Sequence, residues 1–208
     1  MINSLPQFAI LLFSIVFHEV AHGRVALWRG DTTARDAGRL TLNPLPHIDL
    51  FGTILFPLFL VVTRSSVLFG WAKPVPVNPW RFKETKKDMA LVGASGPASN
   101  ILLAVFAGIF FRGALSTLGS SHVLTQTLFF AVYINLVLAV FNLVPIPPLD
   151  GSKIVMAFLP DELAVKYSQI ERFGFLIIFG LFFLGLFRLI IFPVVKVLLV
   201  LIIGFSPF

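Results

Sequence analysis

Long uncharged runs separated by short charged segments set the pattern of this chain. No charge falls between positions 1 and 17, and apolar character resumes at 25 to 28. A helix needs about 20 such residues to cross a bilayer. The pattern therefore predicts one membrane helix here, carrying His18, Glu19 and His22 within it. Further apolar runs occupy residues 50 to 62, 89 to 111, 123 to 144 and 173 to 208. The runs at 89 to 111 and 123 to 144 predict an antiparallel pair of spans, joined by a short outer loop with Arg112 and His122. The last run fits a helical hairpin, or equally one tilted span with an interfacial tail. The run at 50 to 62 is short for a span. It is flanked by Asn43-Pro44-Leu45-Pro46 and Gly70-Trp71-Ala72-Lys73-Pro74-Val75-Pro76. Such irregular backbone is tolerated at membrane depth only against protein or a wet cavity. A re-entrant or interfacial segment is expected there, with an ordinary span as the alternative. The expected architecture is an all-α polytopic membrane protein of about four to six membrane helices. It forms one domain over 1 to 208, with a re-entrant region at about 40 to 80 and C-terminal helices at 173 to 208.

Composition agrees: 57% of residues are hydrophobic, 12% are charged, and the mean hydropathy is +0.94. The formal charge of +6 does not read as a nucleic-acid footprint, because the basic residues lie between apolar runs and form no dense cluster. They read as topology signals. Arg24, Arg29, Arg35 and Arg39 follow the first run, and Arg64, Lys73, Arg81, Lys83, Lys86 and Lys87 precede the third. Both segments are expected on the cytoplasmic side of a prokaryotic plasma membrane, together with the mostly polar stretch from 152 to 172. The N-terminal run lacks a basic leader and a small-residue cleavage site, and is expected to be retained. There is no Cys, so a transition metal would have to be held by imidazole and carboxylate, and only four His are present.

The chemistry centres on Phe17-His18-Glu19-Val20-Ala21-His22-Gly23. Spacing of four residues on a helix puts both imidazoles on one face, where they can share one Zn²⁺ with Glu19 beside it to take a proton from water. The bland reading is two core histidines and an incidental glutamate. Each ionisable group near a bilayer centre costs about 2.5–3.5 kcal/mol, so three within five positions call for compensation such as a metal. A catalytic zinc usually takes three protein ligands. Asp150 is the leading third candidate, at the proline-rich break Asn142-Leu143-Val144-Pro145-Ile146-Pro147-Pro148-Leu149-Asp150-Gly151, and Asp49 is its rival. Either aspartate could instead cap a following helix. His18 lies about 20 Å along a helix begun at Leu5, near the cytoplasmic face that Asp150 also reaches. Asn142 could donate to a developing oxyanion or simply bond a neighbouring helix. Asn135 reads as a helix–helix contact, and Gly93, Gly96 and Asn100 as close packing. Lys83, Lys86 and Lys87 read as interfacial anchors.

These motifs resemble the site-2 protease family, whose members pair HExxH in one membrane helix with an Asn and a Leu-Asp-Gly in a later one. His18-Glu19-Val20-Ala21-His22, Gly96-Pro97-Ala98-Ser99-Asn100 and Asn142 through Leu149-Asp150-Gly151 occur in the family's order, over roughly residues 8 to 155. The resemblance implies an intramembrane zinc metalloprotease with one Zn²⁺ per chain. His18, His22 and Asp150 would be metal ligands, Glu19 the base, and Asn142 a residue holding substrate or oxyanion. It also implies a partly β re-entrant segment after the first catalytic helix, and substrates that are single-pass membrane proteins within the lipid bilayer. Nucleic acid is not expected as a partner, and a homo-oligomer is left open. Unlike many relatives, the sequence carries no PDZ or CBS module. The alternatives are a metal-handling or solute transporter using the same His/Glu/Asp cluster, for which no inverted repeat is found, and an inactive scaffold that binds membrane segments.

Overall fold

The computed structural model describes residues 4–55, 59, 62–63 and 72–205. Its long helices are α1 (Ser4–Trp28), α3 (Thr85–Leu118), α4 (Val123–Asn142) and α8 (Leu186–Ile203), with shorter α2 (Thr33–Asp36), α5 (Asp150–Phe158), α6 (Asp161–Ser168) and α7 (Glu171–Phe183). Helix is what an apolar chain must adopt in lipid, since each backbone N–H and C=O is then bonded within its own segment.

α1, α3 and α4 are each long and apolar enough to cross a membrane. The C-terminal pair is bent by 79° at its break and makes a fourth crossing if counted as one span. The expected all-helical, multi-span class holds in that form; the described helices amount to three or four crossings. Among the described residues there is no strand. Leu50–Leu55 is a π-helix and 72–78 has no regular secondary structure, while 56–58 and 60–61 of the expected re-entrant run at 50 to 62 lie outside the described residues.

α3 is the central element, packed by α1, α4, α5 and α8. The main core lies along α3, α4, α7 and α8, with Leu136, Leu199, Val132 and Ala104 fully enclosed. Small residues set the spacing. A side chain at Gly108 would meet Ile202 Cγ2 at 2.3 Å, so α8 rests directly on α3. The outer faces carry Phe106, Ile109, Phe110, Phe183 and Leu201 exposed, as a lipid-facing surface requires. At the other end of α1, the buried Asp88 bonds Arg29 Nε at 2.6 Å, tying the start of α3 to the end of α1.

Candidate metal centre

HExxH sits in the second half of α1, where four-residue spacing puts His18 and His22 on the face packed by α3. The fit is close because position 96 has no side chain. A Cβ at Gly96 would stand 2.5 Å from His18 Cε1 and Nε2 and 2.5 Å from His22 Cε1. Asp150 arrives from the opposite end of the sequence. Pro145, Pro147 and Pro148 end α4, the chain turns through Ile146 and Leu149, and α5 starts at Asp150. Gly151 permits that tight return, since a Cβ there would lie 2.1 Å from the Leu143 carbonyl oxygen. Tyr167 Oη adds a bond to Pro145 O at 2.6 Å from α6.

The result is a buried cluster of His18, His22 and Asp150, with one ligand atom from each within 4.8 Å of the others. His18 Nε2 lies 3.0 Å from Asp150 Oδ2 and 3.0 Å from His22 Nε2, and His22 Nε2 lies 3.1 Å from Asp150 Oδ2. The outer ring nitrogens decide what those contacts mean. His22 Nδ1 donates to the Val92 carbonyl at 2.6 Å, so its proton is on Nδ1. His18 Nδ1 donates to Asn100 Oδ1 at 2.6 Å. The orientation of Asn100 is fixed in turn. Its amide donates to Asn135 Oδ1 at 2.8 Å, and Asn135 Nδ2 donates to Ser14 Oγ and the Ala131 carbonyl, both at 2.9 Å. A backbone carbonyl accepts only, so the chain of bonds has one direction. As neutral imidazoles protonated on Nδ1, the form a metal requires, the two histidines turn their Nε2 lone pairs toward each other and toward the Asp150 carboxylate oxygen. That arrangement is repulsive until a cation stands among them. Ligand atoms on a tetrahedral zinc with bonds of about 2.0–2.1 Å lie about 3.3 Å apart, close to the spacings here. The donor set fits Zn²⁺.

Glu19 lines the same cleft, with Asn142, Pro148, Met89 and Val92. Its volume of about 180 Å³ has room for several waters. Glu19 Oε2 accepts from the Val75 N–H at 2.8 Å, so the stretch 72–78 meets α1 at this point. That stretch is clamped at both ends. Lys73 N–H donates to His47 O at 2.9 Å, and Arg39 Nη2 donates to Lys73 O at 2.8 Å. At the far end Asn78 N–H donates to Asp31 Oδ2 at 2.7 Å. Asp31 is fully buried and also accepts from Thr33 N and Oγ1 at 3.0 and 2.5 Å. Burial alone would push Asp31 up, but the Thr33 hydroxyl, the two backbone N–H groups and the Arg81 charge hold its carboxyl below the ordinary value. Burial pushes the His47 imidazole down, and its Nε2 donates to Thr41 O at 3.0 Å.

The structure separates the two aspartates that the sequence left open. Asp49 Oδ1 accepts from Gly52 N at 2.7 Å, which makes it the cap of its own turn, while Asp150 joins the histidines. Asn142 reaches the cleft, with Nδ2 donating to Leu138 O at 2.9 Å. Asn100 is corrected from a packing residue to the partner of His18, and Asn135 supports it. The signal for both was present, since an amide inside an apolar run needs a bonding partner. Lys153 was missed: its Nζ donates to Asp150 Oδ1 at 2.8 Å.

Comparison with known proteins gives a consistent picture. Residues 116–185 match the family model of peptidase family M50, a window that includes Asn142 and Asp150. Over 202 residues the chain is 39% identical to a protein of Bacillus subtilis (strain 168) carrying the name "Putative zinc metalloprotease YwhC", covering 94% of this chain and 88% of that one. Two further relatives carry the same designation. Rip2 of Mycolicibacterium smegmatis is 29% identical over 168 residues, 80% of this chain and 62% of its own length. MJ0611 of Methanocaldococcus jannaschii is 30% identical over 169 residues, 74% of this chain and 75% of its own. No solved structure matches.

Proposed function

Because this chain belongs to peptidase family M50, the site-2 proteases, and is a zinc metalloprotease of the membrane, we propose that His18, His22 and Asp150 hold its one zinc ion and that it cuts single-pass membrane proteins within or beside their spans. The observation that carries the ligand assignment is the convergence of two Nε2 lone pairs and Asp150 Oδ2 at 3.0 to 3.1 Å. Zinc bound there would polarise the scissile carbonyl and make water acidic enough to attack near neutral pH.

The remaining work falls to the chain. Glu19, beside the ligands and in the cleft, takes the proton from the attacking water and delivers it to the leaving amine. Its bond from the Val75 N–H holds one carboxylate oxygen and leaves the other for this exchange. Asn142 commits one amide hydrogen to Leu138 O, and the second is free in direction to meet the developing oxyanion. His18, Glu19 and His22 lie in the half of α1 nearer Arg24 and Arg29, whose charges favour the cytoplasm, so the cytoplasmic side is the proposed side of catalysis. A helical substrate must unwind to expose its carbonyls. The stretch 72–78 could present only part of a pairing edge, since Pro74 and Pro76 have no N–H and Val75 gives its own to Glu19. The finer topology, with a re-entrant segment at 40 to 80 and the bent C-terminal pair as a further crossing, belongs to this same reading, as does a single protease domain over 1 to 208.

The test uses purified full-length protein in detergent with a helix-destabilised membrane segment as substrate. Chelation should abolish cutting and added zinc restore it. Asp150→Asn should lose both zinc and cutting, while Asp49→Asn keeps zinc. An Asp150→Asn protein that holds zinc and cuts at the wild-type rate overturns the ligand assignment.

A further inference from the structure

Asp150 divides its two oxygens between different partners. Oδ2 faces the imidazoles, at 3.0 Å from His18 Nε2 and 3.1 Å from His22 Nε2. Oδ1 accepts from Lys153 Nζ at 2.8 Å. The two residues are three apart on α5, where such positions are neighbours. Lys153 is nevertheless not a free surface arm. Its stem lies on α3 at Gly93, where a Cβ would stand 3.0 Å from Lys153 Cβ and 3.3 Å from its Cδ. The side chain is 29% exposed, against 7% for Asp150, and it lines the cleft with Glu19 and Asn142.

A carboxylate whose outer oxygen has no partner turns readily about its last torsion, because that torsion is broad. It can then offer a metal one oxygen or both. A cation seated on the outer oxygen removes that freedom and aims the inner oxygen. Such support of a ligand is commonly worth tenfold to a hundredfold in metal affinity, about as much as the bond to the far nitrogen of a ligand histidine.

We propose that Lys153 is a positioning residue of the metal centre: its ammonium, seated over Gly93, pins the outer oxygen of Asp150 and presents the inner oxygen alone to the zinc ion. This rests on the reading of Asp150 as a ligand. Gly93 thereby has a purpose beyond close helix packing, since a larger residue there would displace the lysine stem.

The experiment is zinc retention by purified full-length protein, titrated with a competing chelator and read as metal content, alongside helix content and cutting of a membrane segment. Lys153→Met is expected to release zinc at about tenfold to a hundredfold lower chelator concentration. Lys153→Arg, which keeps a cation at the end of the stem, should stay near wild type, as should the exposed Lys166→Met. If Lys153→Met does not fold, Lys153→Gln takes its place with the same expectation, because it keeps a donor and removes the charge. A folded neutral variant with wild-type zinc retention overturns the proposal, and so does an arginine variant that loses as much as the neutral one. Asp150→Asn in the same assay separates the two claims. If it loses zinc while Lys153→Met keeps it, only the role of Lys153 fails; if Asp150→Asn keeps zinc, the ligand assignment itself fails.

Discussion

His18 Nδ1 and Asn100 Oδ1 lie 2.6 Å apart across the contact of α1 with α3, both side chains buried. That bond sets which nitrogen of His18 carries the proton, and so which nitrogen is free for a metal. Three helices share the task, since Asn100 on α3 is itself held by Asn135 on α4, which holds Ser14 on α1. Tautomer and helix packing are thus fixed together.

Removing the acceptor should therefore weaken metal binding without unfolding the bundle. Asn100→Leu is expected to reduce zinc affinity about tenfold to a hundredfold. Asn135→Leu, one bond further away, should have a smaller effect. Chelator competition followed by metal analysis measures both. Wild-type zinc retention in a folded Asn100→Leu protein would show that the tautomer is set by something else.

Gly96→Ala should be more damaging than its size suggests. The new methyl would lie 2.5 Å from atoms of both imidazoles, so either the histidines or the α1–α3 contact must shift. Loss of zinc and of cutting is expected with helix content preserved. Gly113→Ala on the same helix has open space within 4 Å and should be neutral or slightly stabilising, by about 0.5–1 kcal/mol at most. Equal behaviour of the two variants in circular dichroism and zinc assays would count against a packed imidazole pair.

Asp31 gives a dependence on pH. Its carboxyl is held below the ordinary value in the folded protein, so the ionised form is the one that folding favours. The stability it contributes is fully present above the unfolded carboxylate pKa of about 3.9 and is lost as pH falls through the lower folded value. Asp31→Asn should then be destabilised at neutral pH, by about 2 kcal/mol for weakened charged hydrogen bonds. The gap to wild type should close in acid. Thermal unfolding from pH 7 to below pH 4 tests this, and a gap constant with pH would mean that Asp31 acts by shape alone.

Much of this was legible in the sequence because lipid is a demanding solvent. Apolar runs of adequate length must be helices, and His18, Glu19 and His22 within one such run require compensation whatever the tertiary structure. The third ligand was less legible. Asp49 and Asp150 both follow proline-rich breaks, and only the packed chain shows one bonding Gly52 N and the other meeting the histidines. The roles of Asn100 and Lys153 depend on partners 82 and 3 residues away, of which the nearer was visible as one helical turn and still passed over. Irregular backbone about Pro74 and Pro76 was legible, but not what holds it: side chains and single bonds from Arg39, His47, Glu19 and Asp31, not a strand ladder with its own alternating pattern.

Glu19 is the residue on which the chemical reading turns, and its surroundings make Glu19→Gln an unusually clean substitution. Glutamine keeps a carbonyl oxygen of the same reach, so the Val75 N–H retains an acceptor and the stretch 72–78 has no reason to move. The contacts among His18, His22 and Asp150 are untouched, so zinc content should equal that of the wild type. What glutamine lacks is the ability to accept a proton, and turnover should fall by about 10² to 10⁴. Measured together on one preparation, zinc content and the rate of cutting distinguish the possibilities. Full zinc with lost turnover assigns Glu19 to proton transfer; lost zinc would move it among the ligands; full zinc with unchanged turnover would require another base in the cleft.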